Sequence, residues 1–388
     1  MNSVLMQLSE EHQALAETVR EFANEVVAPV AVHHDREQSF PYDVVKEMAR
    51  MGLFALPFPE EFGGMGGDYL SLCLAIEELG RIDQSVAITL EAAVGLGSMP
   101  IFRVGTAEQK EQFLRPLISG EALGAFGLTE PDAGSDASRL RTTARLENDE
   151  WVINGAKTFI TNSGTSITSL VTVACITGIK ADGSKEISTI IVPSGTPGFT
   201  VEPSYFKVGW HASDTHPLSF SDVHVPASNL LGERGRGYAN FLQTLDEGRI
   251  AIAALAVGAA QGCIDESLRY AKQRKAFGKS IGEHQSIAFK IAEMEARTHI
   301  ARLAYYHAAF LLGAGKEFKT EASIAKLVSS EAAMDNARAA TQIFGGYGFI
   351  DEFSVARHYR DSKILEIGEG TSEVQKILIA RSLGLNAQ

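Results

Sequence analysis

Hydrophobic spacing changes character twice along this chain, and that order limits the folds open to it. In the first third the spacing is helical. Leu15, Val19, Phe22 and Val26 recur at four, three and four residues, and Pro29 is predicted to end the run. Val44, Val45, Met48 and Met51 predict a second helix before Gly52; further helices are expected over about 69–80 and from Thr106, with Ala107, Glu108 and Gln109 in its first turn. From about residue 125 to 226 the chain is rich in Thr, Val, Ile, Gly and Ser, which favour strands. Strands are predicted at 151–153, 170–175, 187–192 and 218–225, the last with a bulge at Ser221-Asp222. Asn154-Gly155, Asp182-Gly183 and Pro197-Gly198 read as the turns between them. Helical spacing returns after Gly237, over about 238–272, 283–312, 320–344 and from Ser372. The order predicts a mainly α protein with a central β domain, a small barrel or sandwich, between two helical layers, the second a four-helix bundle. The corresponding domains are 1–124, 125–230 and 231–388.

A chain of 388 residues exceeds one ordinary core, in keeping with two or three domains. Its net charge of −13 argues against binding nucleic acid or an anionic membrane. Cys73, Cys175 and Cys263 lie far apart in apolar stretches, with neither metal-ligand spacing nor a disulfide framework. They read as buried thiols in a reducing compartment, and no metal is expected. Met1 to Glu11 lacks the basic and apolar segments of a signal peptide, and no apolar run is expected to reach membrane-spanning length. The expectation is a cytoplasmic protein without membrane insertion.

One carboxylate stands apart. Glu369 lies between Gly368 and Gly370, and Thr371-Ser372-Glu373 can cap a helix running through Val374, Ile377 and Leu378. Two readings stay open on these residues: a carboxylate presented to a cavity from a tight turn, or a solvated glutamate in a capping loop. The loop Leu128-Thr129-Glu130-Pro131-Asp132-Ala133-Gly134-Ser135-Asp136 can offer backbone N–H groups and hydroxyls to a phosphate or a ring carbonyl, or can be a simple Ser-rich turn. Phe159 and Thr161 share a strand face and put an aromatic ring beside a hydroxyl, as an ordinary amphipathic strand also would. Arg274, three residues before Phe277, and the helix end Gln342-Ile343-Phe344-Gly345-Gly346-Tyr347-Gly348 each have a bland reading as a helix terminus.

Taken in order, these motifs resemble the acyl-CoA dehydrogenase family. Thr-Glu-Pro-x-Ala-Gly-Ser-Asp from Thr129, Phe-Ile-Thr-Asn from Phe159, Arg-x-x-Phe-Gly-Lys from Arg274, the Gln342–Gly348 string and Glu-Gly-Thr-Ser-Glu from Glu369 follow the family's spacing over essentially the whole chain. The resemblance implies an FAD enzyme that oxidises an acyl-CoA to the trans-2-enoyl-CoA, with Glu369 as the base for the α-proton. It implies FAD contacts from Leu128, Thr129, Gly134, Ser135, Phe159, Thr161, Thr371 and Glu373. Arg274, Phe277, Gln285, Gln342, Gly345 and Gly346 match residues that reach the FAD of a neighbouring subunit, which implies a homotetramer. Ser135, Asp246 and Arg249 match positions along the CoA and acyl channel, with Tyr238, Phe241, Leu242, Leu245, Gly368 and Gly370 as its walls. Electron-transferring flavoprotein is the implied acceptor.

The departures bear on substrate. Many members carry Tyr immediately before the base, whereas this chain has Gly368, implying room for branched or bulkier short acyl groups. In the isovaleryl-specific branch, which shares that glycine, the base lies on the long helix beside the Arg; here that position is Gly248, with Glu247 one residue displaced. Phe159 stands where the family often has Trp. The competing readings are an acyl-CoA oxidase or flavin monooxygenase on the same scaffold, which would turn over with oxygen alone, and a non-catalytic acyl-CoA-binding protein, which would purify colourless.

Overall fold

The structure, a computed structural model, describes residues 7–387; the part of the leader reading that rests on Met1–Met6 lies outside them. The first helix, Glu10–Phe22, starts where Ser9 accepts a hydrogen bond from the His12 N–H, at 3.1 Å. It does not stop at Pro29. A π-helical turn over Ala23–Val27 widens the helix, and Pro29 falls in the first turn of Ala28–Glu37, where a missing N–H costs little. The wider turn also rotates the buried stripe, so that Val27 rather than Val26 is buried. Tyr42–Arg50 buries Val44, Val45 and Met48 as expected. Tyr69–Gly80 is capped by Asp68, and Thr106 closes a capping box with Gln109.

One helical run was not legible in advance. Gln84–Glu91, the π-helical Ala92–Ser98 and Met99–Val104 form a continuous rod. Gly95, Gly97 and Pro100 break its pattern in sequence, while the π turn lets the rod continue past them. This run and Gly237–Gln273 are both long and apolar enough to cross a membrane, contrary to the sequence expectation. Their apolar windows are 89% and 83% buried inside the protein, so both serve as core helices.

The middle of the chain forms one eight-stranded sheet. Its strands are β1 (Leu123–Gly127), β2 (Thr143–Glu147), β3 (Glu150–Thr161), β4 (Thr168–Ile179), β5 (Lys185–Pro193), β6 (Phe199–Val201), β7 (Thr215–Pro226) and β8 (Leu230–Leu231). They pair in the order β6-β7-β3-β2-β4-β5-β8, with β1 parallel to β4. The register of β3 on β7 slips between Ile153–Val223 and Gly155–Phe220, which puts a bulge at Ser221-Asp222 as predicted. Asn154-Gly155 is therefore not a turn. It lies within β3, and the Asn154 side chain both donates to Asp222 Oδ1 and accepts from the Asp222 N–H, each at 2.9 Å. Gly183, at φ 82°, makes the expected turn between β4 and β5.

The predicted helices of the last third form as Gly237–Gln273, Gln285–Gly313, Lys319–Phe344 and Ser372–Ser382, and Ser354–Ser362 adds one more. The Ala-rich stretch Ile250–Ala260 of the central helix is wholly buried. It crosses Tyr69–Gly80 so closely that a Cβ at Gly258 would overlap the Glu77 carbonyl oxygen. Glu77 in turn accepts from Arg302 Nε at 2.8 Å and from the Tyr305 hydroxyl, which ties the N-terminal layer to the helix Gln285–Gly313. The three cysteines are buried and unpaired.

Candidate active site

Helix, sheet and C-terminal turn meet around a cleft of about 710 Å³. The helical run contributes Ile88, Ala92 and Leu96; the sheet contributes Phe126, Phe159 and Thr161, and the loop after β1 contributes Leu128, Thr129, Gly134 and Ser135; the central helix contributes Tyr238, Leu242, Leu245 and Arg249. Gly368, Glu369, Gly370 and Thr371 close the end.

The loop Leu128–Asp136 is held in place by its own acid. Glu130 Oε1 meets Lys157 Nζ at 2.7 Å, both groups buried, and Glu130 also accepts from the N–H groups of Arg141 and Thr142. Lys157 donates to the Leu128 carbonyl as well, at 3.2 Å. Glu130 is thereby committed to the loop, while Gly134 has open space where a Cβ would stand. Replacing Lys157 by Met strands the buried Glu130 charge. A loss of about 3 kcal/mol in unfolding free energy is expected from chemical denaturation, together with weaker FAD retention.

In β3 a second register slip falls between Lys157 and Ile160, where Phe159 has a φ of 59° and is 66% exposed. Simple strand alternation does not hold there, yet Phe159 and Thr161 both face the cleft. Tyr205 backs the Phe159 ring at 5.2 Å between centroids.

Glu369 sits on a turn with φ 52°, followed by Gly370 at 94°. The turn is pinned through the Gly370 carbonyl, which accepts from buried Lys326 Nζ at 2.8 Å and from Gln375 Nε2 at 2.9 Å. Thr371 accepts from the Val374 N–H and caps Ser372–Ser382. Both carboxyl oxygens of Glu369 are buried and, among the described residues, lack a hydrogen-bond donor. They fill the space that a side chain at Gly248 would take: a Cβ there would overlap Glu369 Oε2. Burial pushes the Glu369 carboxyl up to about 7, against the opposing pull of Lys326 and Arg249.

Three expected contacts fall outside this cleft's lining. Phe241 is buried behind it, its ring 4.3 Å from that of Phe126. Asp246 is turned to Arg249 and to Lys319 Nζ, the latter at 3.2 Å. Glu373 stands exposed on the first turn of its helix, where its own backbone N–H and the Thr371 hydroxyl hold its carboxyl low. Glu247 is occupied by Arg103. Arg274, Gly345 and Gly346 line a second cleft of about 560 Å³ with Tyr347, and the two clefts share no lining residue. Phe277 nearby is 95% exposed, and Gln285 and Gln342 are exposed too.

The acyl-CoA dehydrogenase N-terminal, middle and C-terminal domain families match residues 9–121, 125–223 and 235–384. The chain belongs to the acyl-CoA dehydrogenase family. It is 48% identical over 377 residues to a probable acyl-CoA dehydrogenase of Bacillus subtilis, covering 97% of this chain and 99% of that one. The butyryl-CoA dehydrogenase structure from Megasphaera elsdenii superposes with a TM-score of 0.94 at 43% identity, covering 98% and 99% of the two chains. A chain in the structure of the electron transferring flavoprotein of Acidaminococcus fermentans gives 0.94 at 41% identity, covering 97% and 98%.

As a member of this family the protein is an FAD-dependent oxidoreductase acting on acyl-CoA. The residues present fit the cofactor. An exposed aromatic face at Phe159, the hydroxyls of Thr129, Ser135 and Thr161, the open ground over Gly134 and the helix N-terminus at Thr371 are what a planar ring and its polar arm require. Several lining residues carried no motif: Ile88, Ala92, Leu96, and Tyr205 to Trp210. The aromatic pair Tyr205-Phe206 just ahead of Lys207-Val208-Gly209-Trp210 was the available sign of the second group.

Proposed function

We propose that this cleft oxidises short- to medium-chain acyl-CoA thioesters, branched ones included, to trans-2-enoyl-CoA, with Glu369 as the base. The observation that carries the reading is a buried carboxylate, without a hydrogen-bond donor among the described residues, facing an apolar cleft that Phe159 and Thr161 also line. Glu369 takes the α-proton at its carboxylate. Its own N–H, which has no acceptor among the described residues, supports a role in stabilising the thioester oxygen as charge develops. Bound FAD supplies the acceptor for the β-hydride. Leu242, Leu245, Ile252 and Ile88 exclude water along the acyl path, and Gly368 leaves space beside the reacting carbons.

Carrying the carboxyl near 7 makes Glu369 a fitting base for neutral pH. Because the carboxylate is the active form, kcat/KM is expected to rise as pH increases through about 7 and then level off; a flat profile from pH 5.5 to 8 contradicts the assignment. Under anaerobic conditions the yellow protein is expected to bleach with butyryl- and isobutyryl-CoA, and a scan across straight and branched acyl groups tests the preference read from Gly368. The second cleft, with exposed Phe277 beside Arg274 and Gly345, supports a homotetramer in which these residues serve a neighbour's FAD. The A. fermentans neighbour supports electron-transferring flavoprotein as acceptor, to be checked by flavin reoxidation with that protein.

A further inference from the structure

Glu91 is the only charged residue between Val86 and Leu96. It is fully buried, and both of its carboxyl oxygens lack a hydrogen-bond donor among the described residues. Glu369 presents two more such oxygens, and the two carboxyl groups lie within hydrogen-bonding reach of each other. Glycines flank the pair: Gly248 gives up its side-chain space to Glu369, and a Cβ at Gly95 would come within 2.9 Å of Glu91 Oε1. Two anions cannot occupy such a dry site together, whereas one proton held between them turns repulsion into a hydrogen bond.

The surroundings decide which group keeps that proton. Lys326 on Lys319–Phe344 and Arg249 on the central helix face Glu369 and favour its anion. Among the described residues no cation offsets the burial of Glu91, which is driven well above the carboxylate range by that burial and by Glu369. The remaining groups nearby are neutral or neutralised. The Tyr69 hydroxyl and Cys73 are buried and protonated, and Glu247 is paired with Arg103.

We propose that Glu91 is a positioning residue that keeps a proton at neutral pH and donates it in a hydrogen bond to Glu369. The inference rests on Glu369 being the base. Glu91 aims the carboxylate and lowers the cost of its charge, so the base remains ionised at working pH. When Glu369 takes up the α-proton, the pair holds two protons and no net charge, and Glu91 itself releases nothing.

The test compares Glu91→Gln, which can still donate, with Glu91→Leu, which cannot, in the FAD-loaded enzyme. The acid limb of kcat/KM is expected to stay within about half a pH unit in Glu91→Gln and to rise by about one unit or more in Glu91→Leu, roughly a tenfold loss at pH 6. A second readout is independent of turnover. Infrared spectra of ligand-free holoenzyme at pH 8 are expected to show a protonated buried carboxyl that vanishes in Glu91→Gln and persists in Glu369→Gln. Absence of that band, or a Glu91→Leu profile superimposed on the wild type, overturns the proposal. The spectra of Glu91→Gln decide it alone should Glu91→Leu fail to fold. Turnover retained in Glu369→Gln refutes the base assignment, while the band still reports on the pair.

Discussion

Glu369→Gln is expected to retain FAD and bind acyl-CoA while losing flavin reduction by about 10³-fold or more, read in anaerobic single turnover. Gln fills the same volume but cannot accept the α-proton, and among the described residues no other acid lines the cleft, Glu91 lying against Glu369 but outside that lining. Glu247 is held by Arg103, and position 248 is glycine. A variant that reduces its flavin at the wild-type rate removes Glu369 from the mechanism. The same variant carries a stability signature. A carboxyl raised from 4.5 to about 7 binds its proton more tightly in the folded than in the unfolded chain. Its contribution is therefore fully present below the unfolded value and is lost as pH rises through about 7. Above that pH the wild type carries a buried charge that the amide lacks. Glu369→Gln is thus expected to be the more stable protein at pH 8, on the order of 2 kcal/mol by denaturation, with the difference shrinking toward pH 5.

Gly248→Ala is expected to lower kcat by roughly 10²-fold while leaving the melting temperature nearly unchanged. The added methyl would overlap Glu369 Oε2, the mobile end of a side chain, so the carboxyl can step aside at small cost to the fold. Displacing a base by about an ångström is costly to the reaction. Gly258→Ala on the same helix gives the contrast. Its methyl meets the Glu77 backbone carbonyl, which cannot step aside, so a stability loss of about 1–3 kcal/mol is expected. If Gly248→Ala keeps full kcat, the carboxyl position in the cleft is not what the reaction requires.

Much of the architecture was legible because burial imposes a period. Val44, Val45 and Met48 fall on one helical face, and Leu218, Phe220, Val223 and Val225 follow a strand with one bulge. Where local chemistry and tertiary packing competed, packing prevailed. Pro29 and the glycines of Ala92–Ser98 read as breaks, but π turns carry both helices past them. Asn154-Gly155 reads as a turn, but pairing with the bulge in β7 keeps it in a strand. The same limit applied to the site. Phe159, Thr161 and Glu369 sit in recognisable strings, whereas Ile88, Ala92 and Leu96 look like any apolar helix face.

By itself the sequence determined the α–β–α order, the family and the short strings that line the cleft, since each depends on spacing within a segment. The tertiary structure decided which acids are free. Glu130, Glu247 and Asp246 are each taken up by a cation from another part of the fold or the same helix, and Glu373 is left in solvent. Among the described residues Glu369 is the one acid that lines the cleft, with Glu91 brought against it from 278 positions away in the chain (369 − 91). Charge compensation and desolvation depend on which surfaces meet, and those distances exist only once helix, sheet and turn have packed.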